Sequence, residues 1–115
     1  MFKVIIAGSR NYSDLDSLTK YCDHLLSQVT DPIQIVSGCA RGADSLGEQY
    51  AKSRNYSVAK FPADWDSFGK SAGYKRNVQM GKYSNALIAF PIGKSLGTNH
   101  MIDIATNLGL KVRVK

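Results

Sequence analysis

The stretch Ile33-Gln34-Ile35-Val36-Ser37-Gly38-Cys39-Ala40-Arg41-Gly42-Ala43-Asp44 passes from an apolar run, through a loop bracketed by glycines, into a helix start. Ile33 to Val36, after the break at Pro32, reads as a strand. From Gly42 to about Arg54, Ala43, Leu46, Gly47, Tyr50 and Ala51 recur on one helical face. The same transition occurs at Ala7-Gly8-Ser9-Arg10, after the apolar Phe2 to Ala7. It occurs again at Pro91-Ile92-Gly93-Lys94-Ser95-Leu96-Gly97-Thr98, after the apolar Ala86 to Phe90. Glycine allows a tight turn and close approach of a ligand to the backbone. A strand that feeds a helix through such a loop points free N–H groups at an anion. Three loops of this kind predict one anionic pocket, for a nucleotide or a relative of one.

The remaining segments keep the same rhythm. Ser13 to Val29 reads as a helix with Leu15, Leu18, Tyr21, Cys22, Leu25, Leu26 and Val29 as its stripe, and Ser13 with Asp16 suggests a capping box. Ser57 to Phe61 reads as a strand, Tyr74 to Tyr83 as a helix, and Thr98 to Leu108 as the last helix, with Gly109 at its C-cap. Lys111 to Val114 reads as the fifth strand, its basic residues alternating with Val112 and Val114 as suits a sheet edge. Only Pro62 to Gly73 lacks a period; it is polar and holds Trp65 and Phe68. Alternating β and α units with apolar strands predict an α/β, Rossmann-like, doubly wound parallel sheet of about five strands with helices on both faces. In such sheets ligands bind beyond the carboxyl ends of the strands, where all three glycine loops fall.

The 115 residues fit one domain, residues 1–115. A hydrophobic share of 43% is ordinary for a globular chain, and no apolar run approaches the roughly 20 residues of a membrane span. The first residues are too short a run for a signal-peptide core. Cys22 and Cys39 make neither a disulfide framework nor a zinc site. A cytoplasmic location with reduced thiols is the expectation, with Cys39 a small buried residue. The formal charge of +6 favours anionic partners. Arg10, Arg41, Lys70, Lys75, Arg76 and Lys94 fall in or beside loops, where each taken singly reads first as a solvated surface charge.

The G-x-G-x-x-G fingerprint is absent after the first strand, and Gly93-Lys94-Ser95 and Gly69-Lys70-Ser71 carry only the ending of a P-loop. No triad, metal motif or His-Glu-x-x-His is present, so no metal and no cofactor is expected, although magnesium could accompany phosphates. His24 and His100 read as ordinary surface or packing histidines, His100 keeping interest as a neighbour of Gly97-Thr98.

Gly8-Ser9-Arg10, Ser37-Gly38-Cys39-Ala40-Arg41-Gly42-Ala43-Asp44, Pro62-Ala63-Asp64-Trp65 with Gly69-Lys70-Ser71-Ala72-Gly73 and Arg76-Asn77, and then Gly97-Thr98 follow one another in order along nearly the whole chain. Together they resemble the YspA-like branch of the SLOG superfamily, which joins the DNA-processing protein DprA (Smf) to the LOG phosphoribohydrolases. The resemblance implies a Rossmann-like fold, a nucleotide-derived ligand, sometimes related to ADP-ribose, a homo-oligomer, and bacterial or phage origin. LOG enzymes cleave the N-glycosidic bond of nucleoside monophosphates with a motif close to P-G-G-x-G-T-x-x-E. Here Pro91, Gly93, Gly97 and Thr98 keep the theme in a longer loop, but Met101 stands where the glutamate should be and cannot serve as an acid.

The implied ligand site comprises Gly8, Ser9, Arg10, Ser37, Gly38, Arg41, Asp44, Trp65, Lys70, Arg76, Asn77, Gly93, Gly97 and Thr98; no catalytic residue is assigned. Arg10 is a phosphate clamp, a base-stacking group or a surface ion pair. Asp44 caps its helix or binds ribose hydroxyls. Thr98 is an N-cap or a phosphate ligand. Trp65 stacks on a base or anchors the irregular loop, with Tyr12 and Tyr74 weaker candidates of the same type. The expected function is binding of a nucleotide-derived signal by a sensor or sequestering protein. The alternatives are an N-glycosidase with altered catalytic residues, Asp44, Asp64 or Asp66 replacing the glutamate, and DprA-like binding of single-stranded DNA.

Overall fold

A computed structural model describes residues 1–115. Its elements are β1 (Phe2–Gly8), α1 (Leu15–Leu26), β2 (Ile33–Ser37), α2 (Ala43–Ser53), β3 (Ser57–Lys60), α3 (Trp65–Phe68), α4 (Ala72–Tyr83), β4 (Ala86–Phe90), α5 (Leu96–Asn107) and β5 (Lys111–Val114). A 3₁₀ turn at Gly69–Ser71 joins α3 to α4. The sheet is wholly parallel, in the order β3-β2-β1-β4-β5. The chain therefore reverses its winding beside β1, with β2 on one side and β4 on the other. A crevice opens at that switch point, at the carboxyl ends of β1 and β4.

Side chains of one strand alternate between two cores. Val4 and Ile6 of β1 join Ile88 and Phe90 of β4 and pack against Leu18, Cys22 and Leu26 of α1 and Tyr50 and Ala51 of α2. Ile5 and Ala7 join Leu87 and Ala89 and pack on the other face against Met80 of α4 and Met101 and Ala105 of α5. This double burial explains why the central strands read as unbroken apolar runs. The outer strands β3 and β5 are mostly exposed, and Lys111 and Arg113 lie on the solvent side of β5.

Several boundaries differ from the sequence reading. The cap of α1 is Asp14, whose carboxylate accepts from the Ser17 N–H at 3.0 Å; Ser13 and Asp16 do not form the box. That helix stops at Leu26, with Ser27 donating its hydroxyl to the His24 carbonyl. The irregular stretch contains α3, capped by Asp64 in the same way as α1, and α4 begins at Ala72. Helix α5 starts from Leu96, so Thr98 sits in its first turn and Ser95 is the N-cap. No helix is long and apolar enough to cross a membrane.

Gly42 is the tightest backbone contact between loops. Its φ is +76°, and a Cβ there would strike the backbone carbonyls of Ser9 and Arg10. Gly42→Ala should therefore lower the unfolding free energy by at least about 2 kcal/mol, from left-handed strain plus overpacking. Urea denaturation checks this, with a shifted midpoint and an unchanged slope expected.

Candidate functional site

Ser9 holds the floor of the crevice together. Its N–H donates to the Phe90 carbonyl at 3.2 Å, and its own carbonyl accepts from Tyr12 and Ala43 at 3.1 and 3.2 Å. Its hydroxyl accepts from the Ile92 N–H at 2.7 Å. One buried residue thereby ties the loop after β1 to the start of α2 and to the loop after β4. Gly8 lets these parts meet, because a Cβ there would come 2.7 Å from the Ala43 methyl and into the Phe90 carbonyl.

Above this floor lies a cleft of about 480 Å³. Gly8, Ser9, Arg10, Asp44, Trp65, Lys70, Arg76, Asn77, Gly97 and Thr98 line it, drawn from every segment between β1 and α5 that the sequence reading singled out. Ser37, Gly38, Arg41 and Gly93 do not. Ser37 is buried and gives its hydroxyl to Glu48 at 2.6 Å while accepting the Cys39 N–H at 3.1 Å, a local loop closure. Gly38 lies under the cleft wall, its carbonyl accepting from Arg76. Arg41 and Gly93 are exposed on the outside of their loops. Cys39 is also exposed, contrary to the expected burial, with φ +65°. The loop turns left-handed there, which aims the side chain outward. Cys22 is the buried thiol, pushed up to about 12 by burial and then by Asp23.

The lining includes Tyr74, a weaker candidate in the sequence reading, but not Tyr12, and it adds four residues not assigned to the site: Asn11, Ile92, Lys94 and Ser95. Lys94 and Ser95 lie inside the third glycine loop and Asn11 follows Arg10, so adjacency to the motifs was the available signal. Met101 forms part of the lining where the LOG pattern has glutamate, and it is buried.

Arg76 and Asn77 are set rigidly. Arg76 donates from Nη1 to the Gly38 carbonyl and from Nε to the Asn77 Oδ1 at 3.0 Å. Asn77, itself buried, donates from Nδ2 to the Gly97 carbonyl at 3.3 Å and lies 3.1 Å from His100 Nδ1. Arg76 can only donate and a carbonyl can only accept, which fixes the Asn77 amide orientation. His100 Nδ1 must then accept, placing the ring proton on Nε2 in the neutral form. His100 also meets the edge of Tyr74, ring centroids 4.4 Å apart. Thr98 accepts the Ser95 hydroxyl at 2.7 Å, closing the first turn of α5. A Cβ on Gly97 would meet nothing within 4 Å, so its backbone faces open space.

The lining charges are unbalanced. Arg10, Lys70, Arg76 and Lys94 face one carboxylate, Asp44. Asp44 does not cap α2, whose N-cap is Gly42; its Oδ2 accepts from the Ala40 N–H at 3.2 Å. Burial pushes its carboxyl up to about 6, opposed by the Ala40 bond and by Arg76 and Arg10, while Glu48 reinforces the rise. Burial likewise pulls the Arg76 guanidinium below its ordinary value, against the opposing pull of Asp44. No group of three or more His, Cys, Asp or Glu side chains comes together as a metal site.

The model of the YspA, cpYpsA-related SLOG family matches residues 2–68. The chain belongs to this family. A relative in sequence is the Gene 61 protein of Mycobacterium phage D29, 32% identical over 118 residues that span 97% of this chain and 94% of that protein. In three dimensions the chain is similar to the crystal structure of TM1055, a structural-genomics target, with a TM-score of 0.69, 21% identity, and coverage of 97% of this chain and 72% of that one. At that identity the likeness shows the Rossmann-like fold.

The raised carboxyl of Asp44 has a sign that stability can read. An acid whose folded pKa, about 6, exceeds the unfolded value, 3.8, is protonated more readily in the native state. Stability then falls as pH rises from about 4 to about 6, and the charged form opposes folding above that window. Asp44→Asn should raise the unfolding free energy at pH 7.5 by up to about 3 kcal/mol, the worth of that shift. At pH 4 the gain should vanish, as urea denaturation at the two pH values would show.

Proposed function

We propose that this SLOG protein binds a nucleotide-derived, ADP-ribose-like ligand in the cleft and acts as a sensor or sequestering protein. The observation that carries the reading is the pairing of four cationic side chains, Arg10, Lys70, Arg76 and Lys94, with two half-exposed aromatic rings, Trp65 and Tyr74, in one cleft. Cations at the end of a parallel sheet suit phosphates, and a ring with an open face suits a base. The volume, about 480 Å³, lies in the range of small-ligand sites. In this reading Gly97 leaves room for the ligand against the first turn of α5, and Thr98 with Ser95 shapes that turn. Of the four residues outside the lining, Ser37 and Gly38 hold their loop through hydrogen bonds, Arg41 and Gly93 are exposed, and none touches ligand in this reading. Met101 supplies no acid at the position of the LOG glutamate, which favours binding over hydrolysis of an N-glycosidic bond. Exposed Leu96, outside the cleft, offers apolar surface to a second copy in a homo-oligomer.

Calorimetric titration with ADP-ribose, with mass spectrometry of the recovered ligand, tests the reading. Saturable binding with the ligand intact is expected; a released base would make the protein a hydrolase. Trp65 is the single tryptophan, so its emission should change on saturation. Arg10→Ala should weaken binding roughly 10- to 100-fold, the loss of one charge-assisted hydrogen bond. Arg41→Ala should stay within about twofold of the parent, because a screened charge outside the cleft contributes little.

A further inference from the structure

Asp44 is out of place in a cleft built for anions. It is 6% exposed, yet it faces Arg10 and Arg76 without an ion pair to either. Its Oδ2 is used by the Ala40 N–H. Its Oδ1 takes no hydrogen bond from any protein donor, and it is not sealed off, since the residue lines the cleft. Arg76, one of the two cations beside it, is committed elsewhere. Arg76 is held by the Gly38 carbonyl and the Asn77 amide. A buried carboxylate short of partners is costly, and burial pushes this carboxyl up to about 6. Loop closure through Ala40 needs only one acceptor, which an asparagine would supply without the charge. The second oxygen is therefore left for something that enters the cleft.

We propose that Asp44 Oδ1 accepts a hydrogen bond from a sugar hydroxyl of the bound ligand and thereby selects glycosylated phosphates over bare phosphates. The assignment rests on the ligand reading above and adds to it the chemical class of group at this position. A phosphate oxygen there would meet a carboxylate in a desolvated wall and be repelled. A hydroxyl donates to it, and an analogue lacking that donor would leave the buried acceptor unpaired, which is the stronger form of discrimination. The cations and Asp44 together thus define a ligand with both charge and hydroxyl donors.

The sign of one substitution separates this from a purely electrostatic role. In the full chain, Asp44→Asn keeps an acceptor for Ala40 but removes the charge and can turn an amide donor towards the ligand. Removing a negative charge from a cationic cleft should tighten inorganic diphosphate, which carries no hydroxyl on carbon, by about twofold or more. The same substitution should weaken ADP-ribose at least tenfold, the loss expected when one hydrogen bond to a charged group is broken. Opposite shifts for the two probes in calorimetry are the expected result. If both probes tighten, or ADP-ribose is unchanged, the hydroxyl assignment is overturned while the anionic cleft stands. If neither probe binds the parent protein, the ligand reading fails and this assignment fails with it. Asp44→Ser, smaller and uncharged, should give the same pair of opposite shifts and covers the case in which the asparagine variant does not fold.

Discussion

The site depends on the hydrogen bonds of Ser9. A small hydroxyl residue at the end of β1 meets three separate segments at once: the Phe90 carbonyl at the end of β4, the Ala43 N–H at the start of α2, and the Ile92 N–H in the loop that leads to α5. Each partner is a backbone group that would otherwise be orphaned at a strand or helix end. Gly8 and Gly42 make the meeting sterically possible, since a Cβ on either would enter a neighbouring carbonyl. Without this junction the three glycine loops would be independent surface turns. With it they form one floor.

On that floor, preorganisation and frustration stand side by side. Arg76 and Asn77 are bound to backbone groups of the loop after β2 and of α5, so the wall between Gly38 and Gly97 is held by the protein itself. Holding a guanidinium in place removes the entropy that a free arginine would lose on binding. Asp44 is the opposite case. Its burial is incompletely compensated, and the raised carboxyl measures a local cost that the rest of the fold carries. Proteins retain such residues at sites where a partner completes them.

The strand and helix order was readable from the sequence because apolar runs and helical stripes are local patterns. Phe2 to Ala7 and Ala86 to Phe90 are apolar throughout because both faces of the sheet are covered. Helix ends were less readable. Ser13 and Asp14 both have cap chemistry, and only the backbone geometry chooses Asp14. Leu96 looks like a loop residue because it is 78% exposed, yet it opens α5. The segment Pro62 to Gly73 showed no period because α3 and the 3₁₀ turn are each shorter than the window in which periodicity appears, and neither buries a residue.

The sequence by itself determined the parallel α/β architecture, the three glycine loops and the surplus of positive charge, because each is encoded in neighbours along the chain. Tertiary structure decided which members of the loops face inward. Arg10 and Arg41 occupy similar places in similar motifs, but Arg10 lines the cleft and Arg41 is exposed outside it. Ser9 follows the last residue of β1 and Ser37 is the last of β2, but one joins three segments and the other bonds to Cys39 in the loop it opens and to Glu48 of the next helix. Such choices depend on the direction each Cα–Cβ bond takes when distant loops pack together. That direction is set by long-range backbone contacts, of which a local pattern carries no record.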